Sequence, residues 1–301
     1  MSQRILVGTA SWADPGFIDT WYPHGLAKQE LLPWYAQHFP LVEVNSSFYA
    51  IPEPKAVAHW VDQPPPHFVF DIKAHKALSR HAAKLADLPK DLRPLASVDG
   101  EKVKLTPALE DALLGKLLDA IKPLTDAGKL GAFLVQLSPS FSPKYHAIEE
   151  LSAIIEALRP HGLAIELRNR NWMSSELASS VVDYFAKQSV SLVTVDAPDS
   201  PHFMVMPKSD VVTNPKLAYI RLHGRDAKAF TRGKTVSERF NYEYSPDELR
   251  ETAATAQKLL HDAEDVHVVF NNNHANLAPK AAEYFMQIAK DTGLPVAPRS
   301  P

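Results

Sequence analysis

Two kinds of hydrophobic pattern alternate along this chain. Short runs rich in Val, Ile, Leu and Phe, starting near Ile5, Leu41, Phe68, Leu130, Leu163, Ser191, Leu217 and Asp265, read as strands. Segments with helical spacing separate most of them. Proline after or near a capping residue marks the helix starts at Pro54, Thr106-Pro107, Ser142-Pro143 and Ser245-Pro246-Asp247-Glu248. Ser245 and Glu248 also have capping-box spacing. A closing helix is expected from about Leu277 to Lys290, with Leu277, Ala281, Phe285 and Ile288 on its apolar face. Between Asp196 and Leu217 stand Pro198, Pro201, Pro207 and Pro215, so that connection should carry a degenerate helix or none.

Strand then helix, repeated, implies right-handed crossovers and a parallel sheet. Eight such units in 301 residues predict an α/β fold of the (β/α)8, TIM-barrel-like kind. A doubly wound sheet is the rival. Two features favour the barrel: Gly8-Thr9-Ala10-Ser11-Trp12 after the first strand is not a dinucleotide-binding turn, and polar residues end nearly every strand. The longest gaps, Phe68 to Leu130 and Leu217 to Asp265, predict excursions after strands three and seven, over the C-terminal mouth. No linker or repeat interrupts the pattern, so one domain is expected over 1–294, with a short tail at 295–301.

Composition narrows the picture only slightly. A hydrophobic content of 45% with 22% charged residues fits a globular protein, and a net charge of −3 argues against binding polyanions by bulk charge. The absence of cysteine excludes disulfides and thiolate metal sites. No leader pattern opens the chain and no apolar run approaches the ~20 residues of a membrane span. The expected location is therefore cytoplasmic, with no membrane partner and no evident protein partner.

The candidate chemistry lies at the strand ends. In Leu217–Gly224, Tyr219, Arg221 and His223 fall at period two, whereas a strand covered on both faces should be nearly all aliphatic. The same test pairs Glu43 with Asn45, Asp71 with Lys73 and His75, Glu166 with Arg168, and Thr194 with Asp196. Gln136 and Asn271 or Asn272 join them from strands four and eight. All are expected inside the mouth, with Asp71 a structural partner for Lys73. One reading is a buried ion-pair network that fixes the barrel. The other is a site for a small anionic, phosphorylated ligand. There Arg168 and Arg221 would hold the anion, assisted by Asn45, Lys73, Gln136, Asp196 and Asn271. Glu43 or Glu166 would be the general base and His223 the acid or shuttle, in a hydrolase or lyase-type enzyme.

No cofactor is expected. Two histidines and three carboxylates leave a divalent metal as an alternative, although no His-Glu-x-x-His motif is present and the cations oppose one. Arg225, Lys228, Arg232, Lys234 and Arg239, followed by Phe240, Tyr242 and Tyr244, make a single-stranded nucleic acid the alternative partner. A non-catalytic ligand-binding protein is the third reading.

Seven motifs carry a resemblance. Gly8-Thr9-Ala10-Ser11-Trp12, Glu43-Val44-Asn45-Ser46-Ser47-Phe48-Tyr49, Phe70-Asp71-Ile72-Lys73, Gln136-Leu137-Ser138-Pro139-Ser140-Phe141, Glu166-Leu167-Arg168, Tyr219-Ile220-Arg221-Leu222-His223-Gly224-Arg225 and Phe270-Asn271-Asn272 occur in this order. Together they resemble the YecE-like family, a domain of unknown function, from Ile5 to about Ile288. The resemblance implies a TIM-barrel-like fold and no activity. That barrel is similar to those of metal-dependent apurinic endonucleases, an analogy of fold alone, and this chain is short of their histidine-rich metal cluster.

Overall fold

A computed structural model describes residues 3–299, with every side chain in that range except those of Val236 and Ser237. The strands are β1 (Arg4–Thr9), β2 (Leu41–Val44), β3 (Val69–Lys73), β4 (Ser97–Asp99), β5 (Lys102–Lys104), β6 (Leu130–Gln136), β7 (Leu163–Glu166), β8 (Ser191–Leu192), β9 (Thr194–Asp196), β10 (Leu217–Leu222) and β11 (Asp265–Phe270). The helices are α1 (Pro15–Thr20), α2 (Leu31–Ala36), α3 (Pro54–Asp62), α4 (Pro107–Asp126), α5 (Ser152–Leu158), α6 (Ala178–Lys187), α7 (Ala227–Arg232), α8 (Val236–Arg239), α9 (Pro246–Asp262) and α10 (Leu277–Asp291).

Nine strand segments form one sheet, in the order β8-β7-β6-β3-β2-β1-β11-β10-β9, and every pair in it is parallel. The count is nine rather than eight because the run Ser191–Asp196 is divided at Val193. Its first part pairs with β7 and its second with β10, so the two ends of the sheet meet in this one run and the sheet is a nearly closed barrel. The division has a local cause: the Leu192 N–H goes to Thr213 Oγ1 (2.8 Å), a residue of the proline-rich connection, rather than into the ladder. That connection, 197–216, contains no helix.

The helix starts follow capping chemistry. Thr106 accepts the Leu109 N–H ahead of α4, and Ser245 and Glu248 form the capping box of α9. The start expected at Ser142-Pro143 is not one. The Ser142 carbonyl closes a single turn by accepting the Tyr145 and His146 N–H groups, and Ala147 then extends (φ −104°, ψ 147°). The Glu150 carboxylate takes the Ala147 N–H (2.9 Å), so the helical path begins at Ile148 and runs into α5. The excursion after β3 contains the β4–β5 hairpin, and the excursion after β10 contains α7 and α8. In the expected tail, Pro295 and Ala297 hydrogen-bond to Ile5 of β1 (2.9 and 2.8 Å). Among the described residues, no helix is long and apolar enough to cross a membrane.

Register fixes what faces inward. Gln136 lies beside Glu166, Glu43 beside Asp71, Tyr219 beside His267 and Arg221 beside Val269. Gly8 permits the close approach of β1 to β2, because a Cβ there would lie 2.0 Å from the Leu41 carbonyl oxygen. Such an overlap between two backbones cannot be relieved by a rotamer change. Gly8→Ala should therefore destabilise the barrel by about 3 kcal/mol or more in urea unfolding. Gly115, inside α4 with nothing within 4 Å of an added Cβ, is the control. Gly115→Ala should raise stability by up to about 1 kcal/mol.

Candidate functional site

Arg221 crosses the interior from β10 and is fully buried. Its Nε and Nη2 form a fork on the Glu43 carboxylate of β2 (2.9 and 2.6 Å). Its Nη1 reaches Glu166 Oε2 of β7 (2.5 Å) and Gln136 Oε1 of β6 (3.0 Å). Tyr219 Oη also donates to Glu43 Oε2 (3.1 Å). Burial alone would lower the Arg221 pKa, but Glu43 and Glu166 outweigh it and the cation is locked in. Four of the five guanidinium N–H donors are committed to protein acceptors. Arg221, expected to hold a ligand, therefore holds the barrel.

This ion cluster sets the direction of each hydrogen bond beyond it. Burial would raise the Glu166 carboxyl, but the charges of Arg221 and Arg168 and the hydrogen bond from His223 hold it well below the usual carboxylate range, so it is an acceptor. His223 Nε2 must then donate to Glu166 Oε1 (3.1 Å). Burial lowers the His223 pKa to about 4 against the opposing pull of Glu166, so the ring is neutral near pH 7 and Nδ1 is an acceptor. Nδ1 takes the amide hydrogen of Asn271 (2.9 Å). The Asn271 oxygen is thereby left to face Asn45 Nδ2, which also donates to the Ala10 carbonyl (3.5 and 2.7 Å). The histidine expected to shuttle protons has both nitrogens engaged and no exposed surface.

Two cations remain beside the cluster. Lys73, only 8% exposed, donates to Gln136 Oε1 (3.1 Å) and sits 4.7 Å from the centre of the Phe48 ring. Among the described residues it has no carboxylate partner. Asp71, expected in that role, pairs instead with His267 Nδ1 (2.8 Å), deeper in the barrel. Burial, and then the Arg221 charge, lower the Lys73 pKa to about 7, while Glu43 and Glu166 pull the other way. Arg168 donates through Nη1 to Glu166 Oε1 (2.8 Å), packs its guanidinium 5.1 Å from the Phe230 ring centre and keeps 12% of its side chain exposed.

Other expected members lie elsewhere. Asp196 does not face the mouth. In the register it stands beside Leu222, and Thr194 beside Ile220, so both belong to the outer face and Val195 is the neighbour of Arg221. Asp196 binds Arg225 (2.7 Å) and the Tyr244 hydroxyl (2.8 Å), in a cleft of about 360 Å³ that Arg170, Lys208 and Glu251 help to line. The proline-rich connection shortens this strand run and hid the change of face from a period-two reading. His75 leaves the barrel to bond the Asp87 carbonyl (3.1 Å).

Sequence reasoning did not place His81, Asn273, Phe230 or Phe240 in this site. His81, on the excursion after β3, has a buried Nδ1 without a partner, and burial, then the Lys73 and Arg168 charges, lower its pKa to about 4. Asn273 and Asn45 each donate to the Ala10 carbonyl and leave a buried amide oxygen unpaired. Phe230 and Phe240 pack beside the His223 ring (6.2 and 5.5 Å between centres). Loop residues such as His81 follow no period.

In the excursion expected to offer a nucleic-acid surface, Lys228, Arg232, Lys234 and Arg239 are exposed, while the other members turn to the protein. Arg225 binds Asp196 and Glu251, Tyr242 binds Glu248, and Tyr244 is buried. Among the described residues, no group of three or more His, Cys, Asp and Glu side chains is arranged to hold a metal ion.

A parallel barrel with an ion-paired, cation-flanked mouth at its C-terminal strand ends places the protein among the TIM-barrel-like proteins. The chain belongs to the family described as Protein of unknown function DUF72, matched over residues 6–301. It is 27% identical to the UPF0759 protein YunF of Bacillus subtilis over 299 residues, 98% of each chain. It is 29% identical to the UPF0759 protein YecE of Escherichia coli over 140 residues, 46% of this chain and 40% of that one. The fold matches a DUF72 family protein of Enterococcus faecalis V583 with a TM-score of 0.77 at 27% identity, covering 95% of both chains. A DUF72 family protein of Thermotoga maritima MSB8 shares it with a TM-score of 0.76 at 23% identity, covering 95% of this chain and 99% of that one.

Two outcomes follow from the buried cluster. Arg221→Met leaves Glu43 and Glu166 without compensation and should cost about 3–5 kcal/mol in chemical denaturation. For pH, the folded His223 pKa lies below the unfolded value, so the unfolded chain binds the extra proton between pH 6.5 and 4 and stability falls across that window. The depressed Glu166 extends the loss to lower pH. The melting temperature should drop from pH 6.5 to 4, and His223→Gln should flatten that slope. A slope unchanged in the variant would assign it to other groups.

Proposed function

We propose that this protein is an acid/base enzyme acting on a small anionic substrate at the C-terminal mouth of the barrel. The observation that carries the reading is Lys73: a buried amine on one neutral acceptor, beside carboxylates already committed to Arg221. Arg168 and Lys73 supply the positive field that holds the anion. The open oxygens of Asn45 and Asn273 accept hydrogen bonds from hydroxyl or N–H groups of the substrate.

In this reading the proton work moves from the expected residues to Lys73. Glu166 is too weak a base when held well below its usual range, and both Glu43 oxygens are occupied. An amine with a pKa of about 7 is matched to proton abstraction near neutral pH. Glu43, Glu166, Arg221, His223 and Gln136 position it, and Asn271 carries that order across the mouth. The reaction is proton removal from carbon or oxygen next to the anionic group, of lyase type.

A thermal-shift panel of sugar phosphates, hydroxy acids and oxo acids at pH 7 tests this. At least one anion should raise the melting temperature by a few degrees, since a ligand at a hundred times its Kd contributes about 2.7 kcal/mol. Arg168→Gln should remove most of that shift while the unliganded melting temperature changes little. If no anion stabilises the wild-type protein, the reading fails.

A further inference from the structure

We propose that the Lys73 amine is also a nucleophile, forming a covalent imine with an aldehyde or ketone carbonyl in a substrate whose anionic group rests on Arg168. This rests on the anion-binding reading above and names the substrate class: carboxylated or phosphorylated carbonyl compounds.

The first support is the hydrogen-bonding of the amine. A lysine ion-paired to a carboxylate keeps its third proton and has no lone pair to offer. Lys73 donates to the side-chain oxygen of Gln136 (3.1 Å), a neutral acceptor that holds an ammonium less tightly than a carboxylate would and that an amine can also bond. The same oxygen also accepts from Arg221 (3.0 Å), which fixes its direction. The Glu43 oxygens are taken by Arg221 and Tyr219, and those of Glu166 by Arg221, Arg168 and His223, so neither draws the Lys73 proton by contact.

The second support is the surroundings. Burial beside cations favours the neutral, nucleophilic amine, the established way of activating a lysine. Near neutral pH a far larger share of Lys73 side chains carries a free lone pair than for a lysine of ordinary pKa. The Phe48 ring, 4.7 Å from Nζ, stabilises a positive charge at that atom whether it is ammonium or iminium. An amine 8% exposed also keeps water from a finished imine.

The third support is the unpaired nitrogen. His81 packs edge-on against the same Phe48 ring (5.0 Å between centres) and has a buried Nδ1 without a hydrogen bond. Burial and the Lys73 and Arg168 charges keep this ring neutral, so it can carry a proton to and from the carbonyl oxygen.

The step needs only water and protons from solvent besides the substrate. The Lys73 lone pair forms the N–C bond, the carbonyl π pair moves to oxygen, and the proton lost from nitrogen is delivered there, giving a carbinolamine. The nitrogen lone pair then expels the hydroxyl, which takes one further proton from solvent and leaves as water, and an iminium remains. The iminium accepts the electron pair of an adjacent C–H or C–C bond, whose proton or carbonyl fragment is released to solvent, and addition of water with reprotonation at carbon later restores lysine and a carbonyl product.

Reductive trapping is the test. The whole protein is incubated at pH 7 with sodium cyanoborohydride and glyoxylate, pyruvate or glycolaldehyde phosphate, with neutral glycolaldehyde in parallel, and adducts are located by peptide mass spectrometry. The expected result is a Lys73 adduct formed at least about tenfold faster than at the surface lysines, which act as internal controls. Arg168→Gln should slow labelling by the anionic carbonyls at least about tenfold and slow glycolaldehyde labelling far less, since the Arg168 charge is a minor cause of the lowered Lys73 pKa. Lys73 labelled no faster than surface lysines overturns the imine. If an Arg168-dependent thermal shift by anions persists in that case, anion binding stands without it. If the shift is absent too, both readings fall. Because the comparison is made among lysines of the wild-type protein, it does not depend on a Lys73 variant folding.

Discussion

One guanidinium, fully buried in a parallel barrel, organises this molecule. Arg221 cannot sit there without compensation, and the charges that compensate it come from strands far apart in sequence: Glu43 of β2 and Glu166 of β7, with the neutral Gln136 of β6 between them. Three elements of the barrel wall are tied to a fourth through a single side chain. The tie fixes strand register as well as charge, because moving any of these strands by one residue would turn its polar group to the outer face.

The same interaction creates the reactive part of the site by subtraction. With both carboxylates committed to Arg221, the hydrogen bonds beyond them run one way, from Asn45 through Asn271 and His223 to Glu166. Lys73 is left with an amide for a partner. A buried lysine with a neutral acceptor is unfavourable for stability, since desolvation disfavours its charged form and no anion repays it. Such an arrangement is expected where chemistry needs an amine that gives up its proton near pH 7. Phe48, just after β2, and Phe230 and Phe240 of the excursion after β10 cover the cations and the histidine instead of facing solvent as a stacking surface.

The barrel was legible in the sequence because its strands are short aliphatic runs separated by helical patterns, and α4 and α9 begin with prolines after capping residues. The inward set Glu43, Lys73, Gln136, Glu166, Arg168, Arg221 and His223 was legible for the same reason: each breaks an apolar pattern at period two. Asp196 was misplaced because that test gives the two faces of a strand without saying which is inner. The pairing with Leu222, known only from register, decides it. Partner choice was also hidden. Asp71 and Lys73 share a face two residues apart, yet each finds another partner, His267 across the barrel for one and Gln136 of the neighbouring β6 for the other. The division of labour between Arg221 and Lys73 could not be read from residue types, because it depends on which cation lies between the carboxylates.

The central claim is that the cluster around Arg221 leaves Lys73 as an amine poised near neutrality. A heteronuclear NMR titration of the Lys73 side chain, assigned by comparison with Lys73→Arg, measures this directly. A midpoint near pH 7 is the predicted result. A midpoint near the ordinary lysine value of 10.5 would contradict the account.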